Sequence, residues 1–298
     1  MRGTRFFIFI LYYLNLLIQI SDLYIYPIKG CAGSRVNSAE LTTTGLANDR
    51  LLMFTTPSGQ FVTQRKYPKM ALIRPKIEGH TLTLDAPDMP TMTLPIQRHG
   101  EPKRVVVWRD AVDAIDQGDG VAEWAKQFLG ADLRLVAMMD GAKRHINPDF
   151  AFSPEDVNSF SDGYATLILS QASLDLLNSK LDAAVGMDRF RPNIVVTGCD
   201  PHAEDFWKKL RIAGISFSNV KPCARCSVPT VNQQTGVMGK EPNRTLARYR
   251  KFPNGVMFGA NLVHHDFGRL AIGDAIEIDA MHPTDWVGRE DHRRRPFE

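Results

Sequence analysis

The stretch Leu51-Leu52-Met53-Phe54-Thr55-Thr56-Pro57-Ser58-Gly59-Gln60-Phe61-Val62-Thr63-Gln64 decides the fold class. An apolar run halts at Pro57-Ser58-Gly59-Gln60 and resumes at Phe61, which predicts two strands joined by a turn. The same cadence continues outward. Upstream, Leu23-Tyr24-Ile25-Tyr26 is aromatic and β-branched, and so strand-like. Downstream, Met70 to Ile77, Thr81 to Leu84, Met92 to Ile96 and Arg104 to Trp108 are further short strands, punctuated by Glu78-Gly79, Pro87 and Pro90. Helical spacing first appears at Val121, Trp124, Ala125, Phe128 and Leu129, with Gly130 as the cap. Evenly spaced short strands predict a sandwich or small barrel.

The second half repeats this texture. Leu133 to Met138 reads as strand, and the polar stretch Asp140 to Ser161 as a connection or lid. Ala165 to Leu169 is a strand from which Ser170 opens a helix reaching about Leu181. Asn193 to Thr197, Leu210 to Val220, Ser227 to Val231, Val256 to His264 and Ala275 to Ile278 are strand candidates. The expected class is mainly β with some helices (α+β), as two β-rich units in series.

Composition sets outer bounds. The 298 residues are 44% hydrophobic and 23% charged, which excludes a disordered or collagen-like chain. A net charge of +3 gives no ground for nucleic-acid binding. Four cysteines in a chain of this length make no disulfide scaffold and favour a reducing, cytoplasmic setting. Arg2 and Arg5 precede an apolar run from Phe6 to Ile20, broken by Asn15 and Gln19. It is short for a bilayer span, which takes about 20 apolar residues, and no small-x-small cleavage site follows. Residues 1–20 therefore read as an upstream mis-start, as an anchor holding the chain to a membrane, or as an extra core helix.

Chemistry concentrates in Lys221-Pro222-Cys223-Ala224-Arg225-Cys226-Ser227-Val228-Pro229-Thr230-Val231-Asn232. A C-x-x-C pair can belong to a structural zinc site, a redox pair or a single thiolate ligand to a soft metal. Cys31 and Cys199 are distant, and His264 and His265 are adjacent rather than spaced, so the zinc ligand count fails. Arg225 beside Cys226 would favour a thiolate by its charge. Cys223 reads more simply as a small buried residue. Lys29, Arg50, Arg189 and Arg191 all stand at strand ends beside turns. Singly these are ordinary surface cations; together with a thiolate they suit a phosphorylated, metal-binding cofactor.

Four motifs in fixed order carry a resemblance: Tyr26-Pro27-Ile28-Lys29, Gly45-Leu46-x-x-Asp49-Arg50, Arg189-Phe190-Arg191-Pro192-Asn193 and Cys223-x-Arg225-Cys226. From about Ser21 to Asp279 the chain resembles MOSC-domain proteins with an N-terminal β-barrel partner domain. That family includes the mitochondrial amidoxime reducing component and its bacterial counterparts, with the C-terminal domain of molybdenum cofactor sulfurase more distant. The resemblance implies an N-terminal barrel domain over 21–138 and a MOSC barrel domain over 139–285, after a lead of 1–20 and before a tail of 286–298.

It further implies a molybdenum–molybdopterin oxidoreductase acting on small N-hydroxylated substrates, with Cys226 as metal ligand and catalytic residue. Lys29, Gly30, Arg50, Arg191, Asn193 and Ala224 are expected around the pterin and its phosphate, and Asp162 is expected to reach the pocket. Asn261 stands where the animal enzymes have a tyrosine, and Gly30 and Ala224 where they tend to have serine. Family vocabulary also includes pyridoxal phosphate binding. Some bacterial relatives carry a ferredoxin-like domain, but Ala280 to Glu298 has no cysteine. Electrons are therefore expected from a separate protein, a ferredoxin or a cytochrome b5-like protein with its reductase. The basic run His292-Arg293-Arg294-Arg295 would be a docking aid or simply solvated. Two other readings stay open: a sulfur carrier in cofactor sulfuration, with Cys226 as acceptor, and a non-catalytic cofactor-binding protein.

Overall fold

The computed structural model describes residues 17–151 and 153–289. The lead as far as Leu16 and the run His292 to Arg295 lie outside the described residues. Strands dominate and helices are few and short: Asp119–Leu129, Gln171–Asn178 and Asn243–Tyr249. The first ends at Gly130, whose left-handed φ of 70° lets its N–H reach the Lys126 carbonyl. The second is capped by Ser170, whose hydroxyl accepts from the Ser173 N–H at 3.1 Å.

The largest sheet runs in the order Ile276–Met281, Trp207–Ile212, Ile215–Ala224, Gly255–His264, Thr166–Ser170, Ile194–Thr197, Gln19–Ile25, Ser34–Val36. It curls until its ends meet at a single bridge, Gln19 to Ala275, rather than closing by a continuous ladder. Ile20, Ile168, Ile194, Leu210, Phe217 and Leu262 fill its interior, all at most 1% exposed. Each such side chain contributes about 1.5–3 kcal/mol of apolar burial. A second sheet orders Lys103–Val107, Asp110–Asp116, Arg134–Met138, Leu52–Thr55 and Ile28–Lys29, packed on the helix Asp119–Leu129 through Trp124 and Ala125.

Several expectations are corrected. The units are not strictly in series: Gln19–Ile25 and Ser34–Val36 belong to the sheet otherwise built from the second half. That strand starts inside the apolar lead, where Ile20 is fully buried. Phe61 to Gln64 forms no strand, only isolated bridges of Gln60 and Phe61. Pro68 starts a 3-10 turn over Pro68–Leu72, so the strand expected from Met70 begins only at Arg74. Leu210 to Val220 is a hairpin, because Ala213 and Gly214 both take positive φ (50° and 78°) in a two-residue turn. Pro229 likewise makes Val228–Thr230 a 3-10 turn instead of a strand. The helix opened by Ser170 ends at Asn178, where the Asn178 side chain bonds both backbone groups of Val185.

The chain crosses from the large sheet into the second sheet at Tyr26-Pro27, between Gln19–Ile25 and Ile28–Lys29. A cleft opens at this crossing.

Candidate functional site

Tyr26 is the floor of the crossing. It is 1% exposed, and its hydroxyl donates to the Pro192 carbonyl at 3.1 Å. Guanidinium groups of Arg50 and Arg191 lie over its ring at 4.2 and 4.3 Å. Both arginines have left-handed backbones, φ 48° and 57°, a conformation that costs a non-glycine residue roughly 1–2 kcal/mol. Arg50 donates to Asp49 (2.6 Å), the Asn193 Oδ1 (3.1 Å) and the Arg191 carbonyl (3.2 Å). Arg191 donates one Nη to the Cys31 carbonyl at 2.6 Å, while its Nη2 is buried with no partner among the described residues. Burial, with the Arg50 charge beside it, lowers the Arg191 pKa. The arrangement favours an arriving anion.

Lys29 ends the strand Ile28–Lys29, and its buried Nζ donates to the Phe160 carbonyl (2.8 Å) and to Asp162 Oδ1 (2.6 Å). Burial pulls the lysine below its ordinary value, and the Asp162 charge opposes that shift. For Asp162, enclosure by protein would raise the pKa, but Lys29 and the Trp108 N–H hold the carboxyl well below the usual range. Its side chain remains 68% exposed toward the cleft, so water further eases its ionisation. Asp162 is presented by Arg144, which is buried and donates to the carbonyls of Ser159, Ser161 and Asp162 and to the Asp110 carboxylate. The polar stretch read as a connection is pinned by this one side chain. Gly30, at φ 82°, turns the chain where a Cβ would meet Met70 Cε at 3.0 Å. Gln64 donates to the Gly30 carbonyl at 2.8 Å and exchanges amide hydrogen bonds with Gln233, tying the two halves across the cleft.

The opposite wall is the end of Ile215–Ala224 and the turn that follows. Cys226 is exposed, and its Sγ accepts from the Val228 N–H at 3.5 Å. The Cys226 carbonyl is held by Asn243 Nδ2 at 2.7 Å. Arg225 does not address the sulfur as expected. Its guanidinium donates to the carbonyls of Phe258 (2.8 Å) and Phe190 (3.0 Å), and its Nη2 is buried and unpartnered among the described residues. Cys223 is half-buried and lines the cleft instead of being sealed in the core; enclosure pushes its thiol up. Asn261 donates to the Lys221 carbonyl at 3.2 Å. Asn193 donates to the Tyr24 carbonyl at 3.1 Å, fixing the first strand of the large sheet to the cleft floor.

One cleft of about 880 Å³, part of it open to solvent, is lined by Lys29, Gly30, Arg50, Asp162, Arg191, Asn193, Ala224, Cys226 and Asn261. These are all of the residues singled out from the sequence, drawn from segments as far apart as Lys29 and Asn261. Thr63, Gln64 and Tyr164 also line it, and Arg144 supports it, although none of the four lies in a motif. Only a charge inside an otherwise unpatterned loop could have signalled Arg144. Five lining residues are cationic (Lys29, Arg50, Arg189, Arg191, Arg225) against one carboxylate, Asp162. The donor set thus fits an anionic group bearing a soft metal: guanidinium and amide donors on one side, an exposed thiol on the other.

The chain is similar to known proteins along most of its length. Residues 17–132 match the MOSC N-terminal beta barrel domain, and residues 155–277 match the MOSC domain. The human mitochondrial amidoxime-reducing component 1 is 36% identical over 281 residues, covering 87% of this chain and 82% of that protein. The bovine mitochondrial amidoxime reducing component 2 is 34% identical over 276 residues, covering 86% and 82%. The component 1 of Xenopus laevis is 31% identical over 278 residues, covering 86% and 81%. No described helix is long and apolar enough to cross a membrane. On these matches the chain belongs to the MOSC-domain family that contains the amidoxime-reducing components.

Proposed function

We propose that this protein is a molybdenum–molybdopterin-dependent reductase of N-hydroxylated compounds. The observation that carries the reading is the exposed Cys226 thiol facing a cleft with five cationic side chains and two buried guanidinium nitrogens that have no partner among the described residues. Buried polar nitrogens without partners are costly, and an anion supplies what they lack. Cys226 would hold the metal. Arg50, Arg191 and Lys29 would bind the phosphate and pterin, with Asn193 and the backbone of Gly30 and Ala224 shaping their seat and Asn261 at the far wall. When bound, the group supplies two-electron reduction of an N–O bond, consuming two protons and releasing water and the reduced nitrogen compound.

The chain's own part is electrostatic and positional. Asp162, ionised and facing the cleft, favours substrates carrying positive charge or N–H donors, and Lys29 keeps that carboxylate in one orientation at 2.6 Å. Electrons come from a separate protein, a ferredoxin or a cytochrome b5-like protein with its reductase. The four free cysteines are scattered or already placed at the cleft, so they form no second cluster set. The same free cysteines support a reducing, cytoplasmic compartment, although the matched relatives are named mitochondrial.

The test is metal and pterin analysis of the purified chain alongside Cys226→Ala. The wild type should carry stoichiometric molybdenum and reduce benzamidoxime with an artificial donor. Cys226→Ala should keep the fold and lose all turnover. Purification without molybdenum but with a persulfide on Cys226 would favour the sulfur-carrier reading.

A further inference from the structure

Trp108 is the one exposed tryptophan of the four: it is 47% exposed, whereas Trp124, Trp207 and Trp286 are 4%, 3% and 8% exposed. It occupies the first position of the two-residue turn joining Lys103–Val107 to Asp110–Asp116, with a left-handed φ of 59°. Positive φ at this position alone is the type II′ pattern, where glycine is the expected residue. A bulky aromatic there is strained, and such strain persists only where the surroundings impose it. Three contacts do so. The indole N–H donates to Asp162 Oδ1 at 3.2 Å, the ring packs on Phe61 at 5.1 Å, and the Arg65 guanidinium lies 4.6 Å over it. Asp162 is a lining residue of the cleft, so this turn holds an open aromatic surface at the cleft mouth.

We infer that Trp108 is a specificity-determining residue: it forms a stacking wall that selects N-hydroxylated substrates with flat aromatic bodies over aliphatic ones. This rests on the reductase reading above. The substrate's N–O end enters the cleft while its ring lies on the exposed part of the indole. Stacking of this kind adds binding without touching the reacting atoms, so it acts on KM rather than kcat.

The experiment measures KM for benzamidoxime and for acetamidoxime with a chemical reductant, on the cofactor-loaded protein and two variants. Trp108→Leu keeps apolar bulk without the ring and should raise the benzamidoxime-to-acetamidoxime KM ratio by about 2- to 10-fold. Trp108→Phe keeps a ring without the N–H and should restore most of the wild-type ratio. A binding readout stands beside it: because the other tryptophans are buried, acrylamide quenching reports on Trp108, and benzamidoxime should shield it in the wild type. An unchanged KM ratio in Trp108→Leu, or equal quenching with and without benzamidoxime, overturns the inference. A mutational effect seen only with a protein electron donor also overturns it, marking the turn as a donor contact. Shielding without reduction of either compound would sustain the aromatic wall while sinking the reductase reading.

Discussion

Two charged regions meet the strand Gly255–His264, and they are built in opposite ways. In the cleft, cations outnumber carboxylates, and Arg191 and Arg225 each keep a buried guanidinium nitrogen without a partner among the described residues. Beside it, the layer around Asp205 and Glu204 is shut from solvent, both residues being 0% exposed. There Arg250 forms an ion pair with Asp205 and donates to the Met257 carbonyl at 3.0 Å. Glu204 accepts from the Ser170 N–H (3.1 Å) and the Ser173 hydroxyl (2.7 Å). Burial pushes the Asp205 carboxyl up, and the Arg250 charge opposes it. The buried layer carries two carboxylates to one guanidinium, and Glu204 Oε2 and Asp205 Oδ1 have no hydrogen-bond partner among the described residues; shut from solvent, it serves the fold. The cleft has surplus positive charge. An unpartnered buried polar atom alone does not mark a site; a surplus of like charge around an opening does.

This contrast is most open to attack at Arg250. Arg250→Ala leaves Asp205 buried without its counter-ion, and the expected loss is about 3–5 kcal/mol of folding stability, read from the chemical-denaturation midpoint. A near-wild-type midpoint would erase the distinction between the two regions.

Arg191→Ala should behave in the reverse sense. Loss of a charge-assisted contact worth about 1.5–3 kcal/mol weakens cofactor retention about 10- to 100-fold, measured as molybdenum per chain after dialysis. Its midpoint should fall less than that of Arg250→Ala, since removing one of two adjacent cations also relieves repulsion with Arg50. Full metal retention would show that the surplus charge serves something else.

A smaller effect sharpens the comparison through pH. His202 lies against the rings of Tyr249 and Phe258, with neither ring nitrogen partnered among the described residues. Burial first, then the Arg250 charge, lowers its pKa from 6.5 to about 4. Between those values the unfolded chain binds the proton that the folded one refuses. Stability contributed by the neutral ring is therefore present above 6.5 and is lost as pH falls toward 4. His202→Phe should flatten this part of the slope, seen by comparing urea midpoints at about pH 7.5 and about pH 5.

The mainly β class is legible in the residues alone, because strand periodicity and turn residues are local properties. Four motifs in fixed order point to Lys29, Arg50, Arg191, Asn193, Ala224 and Cys226, which line the cleft, whereas Thr63, Gln64 and Tyr164 lie outside those motifs and line it too. Local reading misplaced elements where proline or a positive φ intervened, as at Pro68, Pro229 and Ala213-Gly214. Long-range packing alone sets Gln19–Ile25 into the sheet of the second half, turns Arg225 to backbone carbonyls and makes Arg144 present Asp162. Those outcomes depend on partners more than a dozen residues away, and on which buried donor meets which acceptor. No window of sequence contains both members of such a pair.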